Sequence, residues 1–149
     1  MTAKAAQQTT VSTILIGRWE QAARKLATLA EAFPPDKLES TPVKGTRTVG
    51  DVLRHVAFWN RYVADSASGR KADDSANELP KAEYATKAQV LKALQQSAAN
   101  ATAALRTHPG ELQPATAEMV MSFIEHTSEH YGQLVAYARN QGIVPPASR

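Results

Sequence analysis

The chain contains no cysteine, which removes disulfides, thiolate nucleophiles and sulfur-ligated zinc together. Any metal held here is bound by nitrogen and oxygen. No apolar run approaches the roughly 18 residues of a membrane span, and the start from Met1 to Thr10 is polar, without a hydrophobic stretch after a basic one. A soluble, cytoplasmic protein with no membrane partner is expected. A basic stripe is missing as well: 17 Lys and Arg stand against 14 Asp and Glu and are spread along the chain. The counterion-releasing surface of a nucleic-acid binder is therefore not expected, and Arg18, Arg24 and Lys25 read as a solvated helix face. There is no internal repeat, no low-complexity tract and no strand-like alternation.

What is present is helical periodicity in 149 residues, enough for one domain over 1-149 that buries about two-thirds of its unfolded surface. In a first helix Leu15, Trp19, Ala22, Leu26, Leu29 and Phe33 recur at three and four, and Pro34-Pro35 ends the stripe. Thr48-Val49-Gly50-Asp51 supplies a cap with an acid three positions on, so a second helix is expected from about Val49 to Ala67. Gly69 to Ala85 is charged and broken by Pro80; extended, it reaches about 55 Å, far enough to cross a bundle. Thr86 followed by Gln89 caps a third helix with Val90, Leu91, Leu94, Ala98, Ala101 and Leu105 inward, ending before the turn His108-Pro109-Gly110. A fourth starts near Ala115 and stops at Gly142. Four amphipathic helices make an all-α four-helix bundle.

The informative stretch is His126-Thr127-Ser128-Glu129-His130. Two imidazoles four residues apart on a helix lie about 40° apart, with Met119, Phe123 and Tyr137 in the same arc, so both rings point into the core. A neutral imidazole there needs a partner, either a metal ion or a core hydroxyl or carbonyl. On the second helix His55 shares a face with Val52, Val56, Trp59 and Val63, so three of the four histidines converge. Three imidazoles plus an open position is the arrangement of catalytic metal sites, whereas structural sites are usually closed by four protein ligands. His108, beside Pro109, reads as a surface residue.

The letters also spell the His-x-x-Glu-His protease signature, in which Glu is the general base. Those enzymes draw a further ligand from downstream, and no His, Asp or Glu follows His130. Glu129 lies about 100° from His130, and Glu125 from His126, so both are expected to face solvent. The roles of Glu129, Tyr131 and Gln133 stay open. Gly132 costs the helix about 1 kcal/mol relative to Ala, explained either by close approach of another group or by tolerance in a long helix. Trp59, Tyr62, Phe123 and Tyr137 are pocket or core residues.

Thr48-Val49-Gly50-Asp51-Val52-Leu53-Arg54-His55-Val56-Ala57, together with Ile124 to Leu134 and the closing run Tyr137 to Pro146, resembles the DinB/YfiT-like family of bacterial metalloenzymes. The resemblance covers nearly the whole chain in order and length; the loops Pro34 to Arg47 and Gly69 to Ala85 match nothing in it. It implies an up-down-down-up bundle with a long crossover between the second and third helices. It also implies a divalent metal on His55, His126 and His130. Related members include transferases that join low-molecular-weight thiols to electrophiles, and hydrolase-like proteins; homodimers are common among them.

The leading expectation is therefore a metal-dependent enzyme, thiol S-transferase-like or hydrolase-like, acting on a small-molecule substrate. The alternative is a non-catalytic binding or stress-response module in which the metal is structural or absent. Zinc and nickel suit three imidazoles first, with iron, copper and manganese also compatible. Binding requires neutral rings, so metal is expected to leave as pH falls through about 6.

Overall fold

The computed structural model describes residues 9–108 and 110–149; the polar start from Met1 to Gln8, and Pro109 of the expected turn, lie outside the described residues. Four helices account for most of these residues: α1 (Val11–Glu31), α2 (Val49–Ala67), α3 (Lys87–Arg106) and α4 (Pro114–Asn140). No strand occurs among the described residues.

Each helix begins where local chemistry provides for its first free N–H groups. Thr10 and Thr13 form a capping box at α1, and Thr86 and Gln89 form another at α3. The Thr48 side chain accepts from the Asp51 N–H at α2. α4 opens instead on Pro114, whose fixed φ and missing N–H suit the first helical position. It closes just before Gly142, whose φ of 74° an L side chain rarely adopts.

Contacts between helix ends establish the topology. Arg54, early in α2, donates to the Tyr84 carbonyl just before α3, and His108, just after α3, bonds the Ala67 carbonyl at the end of α2. α2 and α3 therefore run parallel, with Asn60 bonding Ser97 at mid-height. Ser12 at the start of α1 bonds both Glu111 and the Leu112 N–H before α4, while Gln141 after α4 bonds Ser40 after α1. α1 and α4 are parallel in turn. Ties from Arg106 to Glu20 and from Gln95 to Glu31 make α1 and α3 antiparallel. The order is up-down-down-up, and the connection from Ser68 to Thr86 crosses the bundle lengthwise.

His108 departs from the sequence reading. It is half-buried, and its Nε2 lies 2.9 Å from the Ala67 carbonyl, so it closes the C-terminal end of α2 and is not simply a surface group.

The core divides into two clusters. One, around Leu26, Leu29, Phe33, Val52, Leu94 and Leu134, fills the end where α1 and α4 finish. The other, around Ile16, Trp19, Val63, Leu105 and Val120, fills the opposite end. Of the residues expected to point inward on α3, Leu91 and Ala98 are only partly buried, and Ala93 and Ser97 take up core positions beside Leu94 and Ala101.

Candidate metal centre

α2 buries Val52, Val56 and Val63 fully, and His55 lies on the same face at 7% exposure. α4 runs antiparallel beside it and carries His126 and His130 one turn apart, both half-buried. The three ring centroids lie 4.6 to 4.8 Å from one another, and one ligand nitrogen from each ring falls within 4.8 Å of the others. The His55 and His126 Nε2 atoms are 2.8 Å apart.

Two of the rings are oriented by hydrogen bonds on their far nitrogens. His55 Nδ1 lies 2.5 Å from the Asn77 carbonyl, to which it donates, so its Nε2 carries a lone pair toward the cluster. His130 Nδ1 donates to Gln133 Oε1 at 2.8 Å. Gln133 Nε2 donates to the Tyr137 hydroxyl at 2.9 Å, and that hydroxyl donates to the Arg47 carbonyl at 3.0 Å. Such partners behind a ligating histidine fix its tautomer and direction. Gln133 and Tyr137 belong to α4, whereas Arg47 before α2 and Asn77 in the crossover come from the two connections on which the sequence was silent.

Burial above all keeps His55 and His126 neutral. Burial outweighs the Asn77 hydrogen bond and, together with the Arg47 charge and the cost of a second proton beside the His130 ring, pushes the His55 pKa down to about 4. Burial, then His130, His55 and Arg47, push His126 down to about 3. Neutral imidazole is the ligand form.

An aromatic wall flanks the cluster. Phe123 meets His126 edge-on at 5.7 Å and stacks on Trp59 at 5.7 Å, with Tyr62 5.4 Å from Trp59. All three are partly exposed, so they reach the surface beside the triad. Tyr137 is buried and acts through its hydroxyl.

The crossover is held by Arg54, which is fully buried. Its guanidinium bonds Asp51 at 2.7 Å, the Tyr84 carbonyl at 2.9 Å, and Glu39. Lys81 reaches the same Glu39 carboxylate at 2.6 Å. Burial raises the Glu39 pKa, but the bonds from Arg54 and Lys81 outweigh this and hold it below the usual carboxylate value. Leu79 N–H meets the Arg54 carbonyl at 3.3 Å, setting the approach of Asn77 to His55. The signal was an arginine inside the apolar run Val52 to Phe58.

Glu125 and Glu129 are exposed, as expected. Tyr131 turns toward α1, its ring 4.5 Å from the Lys25 ammonium. At Gly132 nothing lies within 4 Å of the place a β-carbon would occupy, so no close approach explains it.

The donors suit a divalent ion: three nitrogens, two with fixed tautomers, and no sulfur. Fold and cluster together define an up-down-down-up helical bundle with a histidine triad between α2 and α4. The model of the DinB superfamily matches residues 18–137, and the chain belongs to that superfamily. Among solved structures, YfiT from Bacillus subtilis matches with a TM-score of 0.65 over 96% of this chain and 94% of that one, at 20% identity. That protein is described as a probable metal-dependent hydrolase with an unusual four-helix bundle topology. At this identity the likeness speaks for the fold alone. No curated protein matches the chain.

Proposed function

We propose that His55, His126 and His130 hold a divalent ion and that the protein is a metal-dependent enzyme acting on a small molecule, hydrolase-like or thiol S-transferase-like. The observation that carries this reading is the convergence of the three rings with His55 and His130 locked from behind by Asn77 and Gln133. Histidines that merely filled a core would not need their far nitrogens turned away in concert. A bound divalent ion lowers the pKa of a coordinated water or thiol enough to make a nucleophile at neutral pH.

The residues around the triad support catalysis over a purely structural site. No fourth His, Asp or Glu joins the group among the described residues, which leaves a position for solvent or substrate. Half-exposed His126 and His130 keep that position accessible, while Trp59, Tyr62 and Phe123 shield one side from water. Hydrolysis agrees with the description of YfiT, and thiol transfer with the family resemblance; zinc or nickel suits either.

The test is metal analysis of untagged protein. Wild type is expected to hold about one ion per chain, and His55→Ala and His126→Ala to lose it while remaining helical. A metal-free wild type that cannot be loaded would overturn the reading. Assays with several bacterial thiols and a model electrophile, and with simple ester and amide substrates, then separate the two reactions.

A further inference from the structure

A line of hydrogen bonds and one ion pair runs along the rim of the triad from Trp59 to His130. Trp59 Nε1 donates to Asn77 Oδ1 at 3.0 Å. The next residue, Glu78, pairs with Arg47 Nε at 3.5 Å. The Arg47 carbonyl in turn ends the line from His130 through Gln133 and Tyr137. The aromatic wall thus stands at one end of this line, and the Arg47 guanidinium lies between it and the supports of His130.

Arg47 is held by its backbone and has a loosely engaged side chain. Its one ion-pair partner is met through Nε at the limit of hydrogen-bond distance, and the two side chains are 33% and 44% exposed. An exposed pair of this kind is weak. The two terminal nitrogens have no partner among the described residues, so the planar fork that matches a carboxylate is available. Arg47 stands at the edge of the triad by geometry, since its carbonyl ends the line from His130 and its partner Glu78 follows Asn77, whose carbonyl meets His55 Nδ1. Three neutral imidazoles would leave the charge of a divalent ion uncompensated. With Glu125 and Glu129 exposed, no protein carboxylate in the ligand group offsets it.

We infer that Arg47 recognises the carboxylate of a small organic acid whose apolar body lies against Trp59, Tyr62 and Phe123. This rests on the proposed function for its catalytic context and adds the substrate class. Glu78 holds the guanidinium between turnovers and yields it to the incoming carboxylate. Because the line from His130 ends on the backbone carbonyl, a side-chain change at Arg47 leaves the ring supports in place.

Benzoate and its neutral analogue benzamide serve as probes, titrated into metal-free and cobalt-loaded protein and followed by tryptophan fluorescence and cobalt absorption. Wild type is expected to prefer benzoate in both forms. Arg47→Gln should weaken benzoate about tenfold to a hundredfold, the loss of a charge-assisted bidentate contact. Benzamide binding, cobalt content and helicity should not change. Glu78→Gln should leave benzoate binding as tight or tighter. Equal benzoate affinity in wild type and Arg47→Gln overturns the inference, as does wild type that does not distinguish the two probes. Failure to take up cobalt overturns the metal reading separately, and the metal-free titration still decides the role of Arg47.

Discussion

The Nε2 atoms of His55 and His126 face each other across 2.8 Å, between two helices that meet nowhere else through paired polar side chains among the described residues. His55 has already committed its Nδ1 proton to Asn77, so the hydrogen between the two rings belongs to His126. A cation binding there displaces one proton and inherits two lone pairs already aimed at it. Two nitrogens on a common ion at about 2.1 Å stand roughly 3.0 to 3.4 Å apart. The pair is therefore close to ligating separation without metal.

The same pair makes the metal-free protein sensitive to acid. Both rings have folded pKa values, about 4 and about 3, below the ordinary 6.5. Between these limits the unfolded chain binds more protons than the folded one, so stability is complete above about pH 6.5 and falls as pH drops toward 4. Thermal unfolding of metal-free protein is expected to show that decline, and His126→Gln, which cannot take up the proton, a shallower one. A flat profile over this range would contradict the buried, neutral state of the pair.

Gln133 should matter to metal affinity without touching the ion. Its amide oxygen fixes the tautomer of His130, and its nitrogen ties that ring to Tyr137 and the Arg47 carbonyl. Gln133→Leu is expected to weaken metal binding about tenfold to a hundredfold, the usual effect of losing such a partner. Tyr137→Phe, which keeps the Gln133 contact to the ring, should cost less. Competition with a chromophoric chelator measures both; unchanged affinity in Gln133→Leu would show that the ring is held by packing alone.

Much of this site was legible because it follows from helix geometry. His55, His126 and His130 announce themselves through the spacing that aims them inward, and the caps at Thr48 and Thr86 place the helices around them. Asn77 was not legible, since it acts on His55 through a backbone carbonyl that every residue possesses. Gln133 stood at a readable offset, three residues after His130, where side chains on one helix meet, but a partner choice among Glu129, Tyr131 and Gln133 needed coordinates. His108 was misread because Pro and Gly dominate its surroundings in the sequence, whereas the carbonyl it bonds belongs to another helix.

Arg54 is the residue on which the crossover depends. Fully buried, it joins Glu39, Asp51 and Tyr84 from three segments. Removing one member of a buried ionic group costs about 3–5 kcal/mol. Glu39 and Asp51 retain some access to water, at 36% and 28% side-chain exposure, so Arg54→Ala is expected near the lower end, about 3 kcal/mol. Urea unfolding measures this. Metal affinity should fall as well, because Asn77 loses its fixed approach to His55.

Two glycines in helices should respond to alanine in opposite directions. At Gly50 an added methyl would sit 3.0 Å from both terminal nitrogens of Arg54 and from Glu39 Oε1. Those atoms belong to a buried, mutually bonded group that can yield only by loosening it, so Gly50→Ala is expected to destabilise by about 1–3 kcal/mol despite the better helix propensity of alanine. At Gly132 the methyl meets nothing within 4 Å, and Gly132→Ala should stabilise by about 0.5–1 kcal/mol. Chemical denaturation of the two variants at neutral pH compares them directly. If Gly132→Ala were destabilising instead, something would have to cover that face of α4 in solution, and a second copy of the chain would be the first candidate to examine by the dependence of stability on protein concentration.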